Sequence, residues 1–133
     1  MHKKLKILVN YFKLLFIIIV LNFQVRGQYL VSCNFLNSSS SAILSGATGL
    51  TLDYDVDMYK MTYNTVNTDS LPVVATGAFL VPKNTSCNDF PMAVYNHGTT
   101  LRKNDVPSYN NPESIIGKVF AAGGYFVCMP DYI

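Results

Sequence analysis

A stretch in which apolar and polar residues alternate is followed by a stretch of mostly apolar residues, and the two predict two β-strands. Residues 54–66 are rich in Tyr, Val, Met and Thr, with Tyr or Met at every second position around Met61. A polar turn at 67–72 leads into a second apolar stretch, 73–81, which ends before Pro82. Two strands joined by a short turn predict an antiparallel hairpin, which we expect at one edge of a mixed sheet.

The following elements predict a parallel strand–helix–strand crossover. Residues 92–96 and 125–129 are short apolar runs of the kind that form buried strands. Between them, Asn-Pro-Glu-Ser at 111–114 is typical of a helix start, with Asn as the N-cap and an acidic residue near the positive end of the helix dipole. Apolar residues recur at helical spacing over 115–120, and two glycines at 123–124 end the helix.

Residues 28–52 precede the predicted hairpin. They contain a run of serines at 38–41 and a small, glycine-bearing stretch at 45–49. The sequence therefore predicts an irregular leader with at most one short helix around 42–44.

Length and composition permit one small domain with a hydrophobic core. The chain has 133 residues, of which 50% are apolar and 14% charged, so it is not a disordered polypeptide. Five of the ten basic side chains lie in the first 27 residues, which leaves five basic against eight acidic side chains in the remainder. The body of the chain is mildly acidic, and nothing in it indicates nucleic acid binding.

The N-terminus has the pattern of a secretory signal. A basic start is followed by an apolar centre at 14–23 and by cleavage-site positions ending at Gly27, so 1–27 is predicted to be a signal peptide and the protein to be secreted or periplasmic. A retained anchor needs about 20 uninterrupted apolar residues, and this run is shorter. Leu-Val-Ser-Cys at 30–33 has the form of a lipoprotein processing site, but Arg26 separates it from the apolar centre, so we rank lipid anchoring below simple secretion.

Three cysteines are an odd number for an exported protein. Cys33 and Cys87 lie in polar, turn-rich sequence and could pair in an oxidising compartment. Cys128 lies in an apolar run, where a buried free thiol acting as a small apolar residue is expected. The cysteine spacing gives no metal motif, and we expect no metal or organic cofactor.

The candidate chemistry lies directly after the third predicted strand, where His97, Gly98, Thr99 and Thr100 follow an apolar run. The carboxyl ends of parallel strands are where ligands bind in open α/β sheets. A hairpin, then strand–helix–strand with His-Gly after the third strand and Pro-Asp-Tyr at 130–132, resembles the start of an α/β-hydrolase of the secretory lipase and carboxylesterase branch. The alternative interpretation of His-Gly is an ordinary strand-to-loop turn.

The resemblance implies a fold and a set of roles. Residues 53–133 would be an incomplete α/β-hydrolase domain, and 97–100 its oxyanion loop, with the Thr99 N–H as the best candidate donor and the Thr100 hydroxyl holding the loop. A glycine at 98 would allow close backbone approach. His97 would orient the loop rather than serve as the base, because the triad of this fold runs Ser, acid, His along the chain. Asp131 precedes any nucleophile, so we expect a structural role in which it accepts hydrogen bonds from the loop.

The catalytic triad is absent, since no Gly-x-Ser-x-Gly occurs in the sequence. We therefore expect the N-terminal fragment of an exported serine hydrolase that cleaves carboxylic esters or lipids, truncated before the nucleophile elbow and inactive alone. Two alternatives remain open. One is a non-catalytic protein of the same fold, and the other is a small secreted binding protein whose exposed sheet edge pairs with a partner strand.

Overall fold

The computed structural model describes residues 29–83, 86, 89–100, 102 and 104–132. The predicted signal peptide and Cys87 lie outside this part of the chain. No helix within it is both long enough and apolar enough to cross a membrane. Its elements follow in the order β1 (Tyr29–Ser39), α1 (Ser41–Thr48), β2 (Asp55–Val66), β3 (Pro72–Lys83), β4 (Met92–Val94), a 3₁₀ turn (Pro107–Tyr109), α2 (Ser114–Ala122) and β5 (Phe126–Pro130).

The strands form one mixed sheet in the order β1-β2-β3-β5-β4. The predicted hairpin is confirmed, because β2 and β3 pair antiparallel from Asp55 opposite Lys83 to Val66 opposite Pro72. The predicted crossover is also confirmed, because β4 and β5 pair parallel with α2 between them in the chain. This arrangement places the ends of β4 and β5 side by side.

The predicted irregular leader at 28–52 contains the one short helix that was expected. The rest of the prediction was wrong, because Tyr29–Ser39 form the strand β1. β1 pairs antiparallel with β2, so β1, and not the hairpin, forms that edge of the described sheet. Two register shifts interrupt the pairing, between Leu30 and Ser32 and between Phe35 and Asn37, and they leave only a short alternation of apolar and polar residues, at 31–35. The serines that suggested a loop end β1 and cap α1, where the Ser40 hydroxyl accepts a hydrogen bond from the N–H of Ile43 at 3.3 Å.

The core lies between one sheet face and the two helices. Its fully or nearly fully buried members come from β2, β3, β5 and both helices: Leu44, Val56, Met58, Ala78, Leu80, Ala121, Ala122, Val127 and Met129. The end of α2 is also tied to the start of β2, because the N–H groups of Asp53 and Tyr54 both donate to the Ala122 carbonyl at 3.1 Å. Gly117, in the middle of α2, lets the helix approach the sheet closely, because a Cβ there would collide with the Met129 side chain and lie 3.2 Å from Leu80 Cδ1.

The opposite face of the sheet carries aromatic side chains. Because side chains alternate along a strand, Tyr59 and Phe79 point away from the helices when their neighbours Met58 and Leu80 point toward them. Phe79 stacks on Phe126 with ring centroids 6.3 Å apart. Tyr59, Phe79 and Phe126 are all only partly buried within the described part of the chain.

The two ends of α2 follow the predicted signals. The Asn111 side-chain oxygen accepts a hydrogen bond from the Ser114 N–H at 3.1 Å, so Asn111 caps the helix although regular helix begins only at Ser114. At the other end, Gly124 has φ of 93°, a conformation that favours glycine, and it turns the chain into β5.

Candidate functional site

The candidate site lies at the carboxyl ends of β4 and β5, the two parallel strands. The Tyr95 N–H extends the ladder by donating to the Cys128 carbonyl at 2.9 Å. The four residues His97 to Thr100, called here the 97–100 loop, then leave the sheet, while Asp131 and Tyr132 follow β5. In open α/β sheets this end of parallel strands is the usual place for a ligand.

His97 is buried and hydrogen-bonded to its own loop. Its side chain is 4% exposed, and its ring lies 4.4 Å from that of Tyr132, centroid to centroid. Nδ1 is 2.6 Å from the Gly98 carbonyl oxygen, and because a carbonyl oxygen can only accept, Nδ1 carries the proton. Nε2 has no hydrogen-bond partner among the described residues. This bond supports the predicted orienting role of His97, which stays a prediction.

The backbone N–H of Gly98 is hydrogen-bonded, as its carbonyl is. Its N–H donates to Glu113 Oε1 at 3.1 Å, and the same oxygen accepts the Tyr95 hydroxyl at 2.6 Å. A Cβ added at Gly98 would have one neighbour within 4 Å, Glu113 Oε1 at 3.9 Å. The described part of the chain therefore leaves open the space beside Gly98 that a substrate needs to approach the backbone closely.

Glu113 was missed by sequence reasoning. An acidic residue at a helix start has an ordinary explanation in the helix dipole, and that explanation gave no reason to connect it with the 97–100 loop. Hydrogen bonds from the Tyr95 hydroxyl and the Gly98 N–H lower the pKa of Glu113, and the same bond to Glu113 raises the pKa of Tyr95. The carboxylate is thus ionised at neutral pH.

The two threonines differ in their hydrogen bonding. Thr99 is exposed, and within the described part of the chain no group accepts a hydrogen bond from its N–H. The Thr100 hydroxyl donates to the Arg102 carbonyl at 3.3 Å, which closes the end of the loop. Within the described part of the chain, the Thr99 N–H therefore has no acceptor, as is also the case for the N–H groups of His97 and Thr100.

Asp131 is buried, but its partners differ from those expected. Its carboxylate accepts from the Ser108 N–H at 3.2 Å and from the Thr76 hydroxyl at 2.5 Å, and its own N–H donates to the Thr76 carbonyl at 2.8 Å. The expectation that it accepts hydrogen bonds from the 97–100 loop was therefore wrong. The pairing of β3 with β5 brings Thr76 opposite Asp131, a contact across 55 residues that no local pattern reveals.

The 97–100 loop borders two open depressions. One, of about 580 Å³, has His97, Thr99, Asp131, Tyr132 and Lys60 in its lining. The other, of about 520 Å³, lies on the Glu113 side and shares Thr99 with the first. A small organic group has room on either side of Thr99.

Comparison with solved structures identifies the architecture. A protein of Legionella pneumophila classed provisionally as a hydrolase matches with a TM-score of 0.70 and 31% identity, covering 78% of this chain and 30% of its own. The rice cell wall degrading esterase LipA of Xanthomonas oryzae matches in a mutant form with a TM-score of 0.66 and 24% identity, and in a ligand-bound form with 0.64 and 25%. Both forms are covered over 29% of their length and 78% of this chain. The fold is α/β-hydrolase-like.

The present chain spans about 30% of the length of these hydrolase structures. No protein-family model and no curated protein sequence matches it. The α/β-hydrolase-like fold is therefore shown by structure, and the sheet includes β1 in addition to the hairpin strands and the two parallel strands.

Neither of the two described cysteine side chains lines the depressions beside the 97–100 loop. Cys33 is an exposed free thiol on β1, and its suggested partner Cys87 lies outside the described residues, so their pairing stays a prediction. Cys128 is a half-buried free thiol in β5, and burial raises its pKa. Within the described ranges, no group of three His, Cys, Asp or Glu side chains could hold a metal ion.

Proposed function

We propose that this chain supplies the N-terminal part of an exported serine hydrolase that cleaves carboxylic esters, and that its 97–100 loop forms half of the oxyanion hole. The proposal is supported by the α/β-hydrolase-like sheet, by the LipA esterase among the similar structures, and by the coverage of only 30% of those chains. In the proposed enzyme the nucleophile, acid and base lie in sequence beyond these 133 residues.

The observation that carries the proposal is the hydrogen bonding of Gly98 and of the Gly98–Thr99 peptide. Both polar atoms of Gly98 are occupied, the N–H by Glu113 and the carbonyl by His97, while the next N–H, that of Thr99, has no acceptor within the described part of the chain. Cleavage of an ester places negative charge on the former carbonyl oxygen, and a backbone N–H fixed in advance stabilises that charge without reorganisation. The arrangement suits the Thr99 N–H for this task.

The buried serines near the site do not serve as the nucleophile in this proposal. Ser108 is 1% exposed and Ser114 is 2% exposed, and a nucleophile must reach the substrate carbonyl. The Ser108 N–H is also committed to Asp131. In the proposed enzyme Ser108 is therefore structural, and Asp131 fastens the 3₁₀ turn to the sheet beside the 97–100 loop.

Export, substrate and cofactor form the remaining part of the proposal. The basic and apolar pattern of residues 1–27 supports a signal peptide and a location outside the cytoplasm, with simple secretion preferred to lipid anchoring. Ester or lipid molecules are the proposed substrates. The chemistry requires no metal or organic cofactor, because an oxyanion hole and a triad suffice.

The test is the sequence that follows codon 133 in the gene, together with ester hydrolysis by the product of the whole reading frame. We expect a Gly-x-Ser-x-Gly in the next strand–turn–helix, a later acid and His, and hydrolysis of p-nitrophenyl acetate or butyrate that stops when that serine becomes alanine. A continuing frame with the serine replaced would favour a non-catalytic protein of the same fold. A frame without any such segment would overturn the proposal.

A further inference from the structure

The Glu113 side chain forms its hydrogen bonds with residues near the end of β4 and not with the start of α2, where it stands in the chain. As the residue before α2 it would ordinarily cap the helix, yet it makes no side-chain capping bond, and Asn111 accepts from the Ser114 N–H instead. Its carboxylate turns to the neighbouring strand end and accepts there from the Tyr95 hydroxyl at 2.6 Å and the Gly98 N–H at 3.1 Å. The start of α2 is thereby fastened to the 97–100 loop.

The direction of the Thr99 N–H follows from these contacts. The structure has no cis peptide bonds within its described residues, and in a trans peptide the C=O and N–H point in opposite directions. His97 Nδ1 holds the Gly98 carbonyl, so the Thr99 N–H of the same peptide points away from His97. Glu113 fixes the preceding peptide, and the two contacts together leave the Gly98 backbone little freedom to rotate.

We propose that Glu113 is a positioning residue for the oxyanion loop: by accepting the Gly98 N–H and the Tyr95 hydroxyl, it holds the Gly98–Thr99 peptide in the orientation that presents the Thr99 N–H. This inference rests on the proposed hydrolase function for its catalytic meaning. The contact itself is a property of the chain that can be measured without catalysis.

Geometry, and not charge, is the basis of this role. A carboxylate near a developing oxyanion repels it, so the negative charge of Glu113 opposes the reaction while its hydrogen bonds favour the reactive loop conformation. Glutamine keeps an acceptor oxygen and loses the charge, whereas alanine loses both. The proposal therefore predicts that Glu113→Gln retains the loop geometry and that Glu113→Ala does not.

Several titratable groups face Glu113. Tyr95 bonds to it, His97 lies close enough to influence it, and Arg102 and Asp105 line the same depression. Asp105 is thus a matched control, because it is a second carboxylate beside the loop that has no contact with Gly98 in the structure. A titration seen at Gly98 must be abolished by Glu113→Gln and unaffected by Asp105→Asn to be assigned to Glu113.

The first experiment follows the Gly98 and Thr99 amides by NMR in the ¹⁵N-labelled full chain. In the unchanged protein, we expect the Gly98 amide proton to move upfield as Glu113 protonates, with a midpoint below the usual glutamate range. Glu113→Gln should abolish this titration while keeping slow exchange of the Gly98 amide. Glu113→Ala should accelerate that exchange by about 10- to 100-fold, the effect of losing a hydrogen bond to a charged group.

Tyr95→Phe gives a second variant if Glu113→Ala fails to fold. It leaves the carboxylate and removes one donor, so the Gly98 titration should persist with its midpoint moved upward toward the usual glutamate range. A Gly98 titration midpoint that is higher in Tyr95→Phe than in the unchanged chain supports the proposal. A Gly98 amide that does not titrate in the unchanged chain, or titrates equally in Glu113→Gln, would overturn it.

The second experiment separates this inference from the proposed function. In the product of the whole reading frame, Glu113→Ala should lower kcat for p-nitrophenyl butyrate with little change in KM, and Glu113→Gln should restore it. If the amide measurements succeed and no ester is hydrolysed, only the proposed function fails. If esters are hydrolysed and Glu113→Ala leaves kcat unchanged, only the positioning role fails.

Discussion

Glu113 Oε1 lies 3.1 Å from the Gly98 nitrogen, and 15 residues of chain separate the two. One residue stands at the start of a helix and the other follows the end of a strand, so the bond fastens the crossover helix to the loop at the edge of the sheet. The same carboxylate accepts the Tyr95 hydroxyl. The conformation of the 97–100 loop is therefore tied to a hydrogen-bond acceptor outside it, the Glu113 side chain.

Acid should weaken this contact. The pKa of Glu113 is lowered in the folded chain, so its stabilising contribution is present above the usual glutamate pKa and is lost as the pH falls through the lowered value. The difference in urea-unfolding free energy between the unchanged protein and Glu113→Gln should therefore shrink as the pH decreases below about 4.3, the ordinary pKa of glutamate. The same comparison for Asp105→Asn serves as the control, and an identical pH dependence in both variants would contradict the account.

Asp131 should contribute measurably to stability. Asp131→Ala removes the acceptor of the buried Ser108 N–H and of the Thr76 hydroxyl, and leaving a buried donor unpaired costs about 1–3 kcal/mol. Chemical denaturation of this variant should show that loss. Asp69→Ala, which changes an exposed turn carboxylate, should stay within about 0.5 kcal/mol of the parent protein, and equal losses in both would refute the structural role.

Two glycines should respond in opposite ways to alanine. A Cβ at Gly77 would lie 2.9 Å from the backbone oxygen of Met129, so Gly77→Ala must move β3 or β5 and should destabilise the protein by about 1–3 kcal/mol. A Cβ at Gly98 has open space, and Gly98→Ala should leave stability unchanged or raise it by up to about 1 kcal/mol. Thermal unfolding of both variants tests the difference, which would be absent if the 97–100 loop packed as tightly as the sheet.

The hairpin and the crossover were predictable from sequence because their signals are local. Alternation identifies β2, an apolar run between a turn and a proline identifies β3, and capping residues mark the two ends of α2. β1 escaped prediction because its register shifts break the alternation and most of its side chains are exposed. A strand with so few buried side chains has little need for an alternation of apolar and polar residues, so this pattern does not identify it.

The position of the candidate site was also predictable, but its supporting contacts were not. His97 and Gly98 follow a recognisable strand, whereas Glu113 and Thr76 come to the site from other elements. Their partners are fixed by how the helix and the strands pack. The wrong partners expected for Asp131 have the same origin, since the chain order alone favoured the loop over β3.

The two described thiols should differ in reactivity in the reduced protein. Cys33 is exposed, whereas Cys128 is half-buried with a raised pKa, and only the thiolate reacts rapidly. Brief treatment with iodoacetamide at pH 7.5 followed by peptide mass spectrometry should find Cys33 modified well before Cys128. Modification at equal rates would show that the aromatic face of the sheet is more open than the structure indicates.

The Thr99 N–H is the central claim, and replacing that backbone donor tests it most directly. In the product of the whole reading frame, Thr99→Pro removes the N–H, while Thr99→Ala keeps it and removes only the side chain. The account predicts that Thr99→Pro lowers kcat for p-nitrophenyl butyrate by about 10²- to 10³-fold with the fold intact by circular dichroism, and that Thr99→Ala stays near the parent value. A folded Thr99→Pro variant with unchanged kcat would contradict the assignment of this loop as an oxyanion donor.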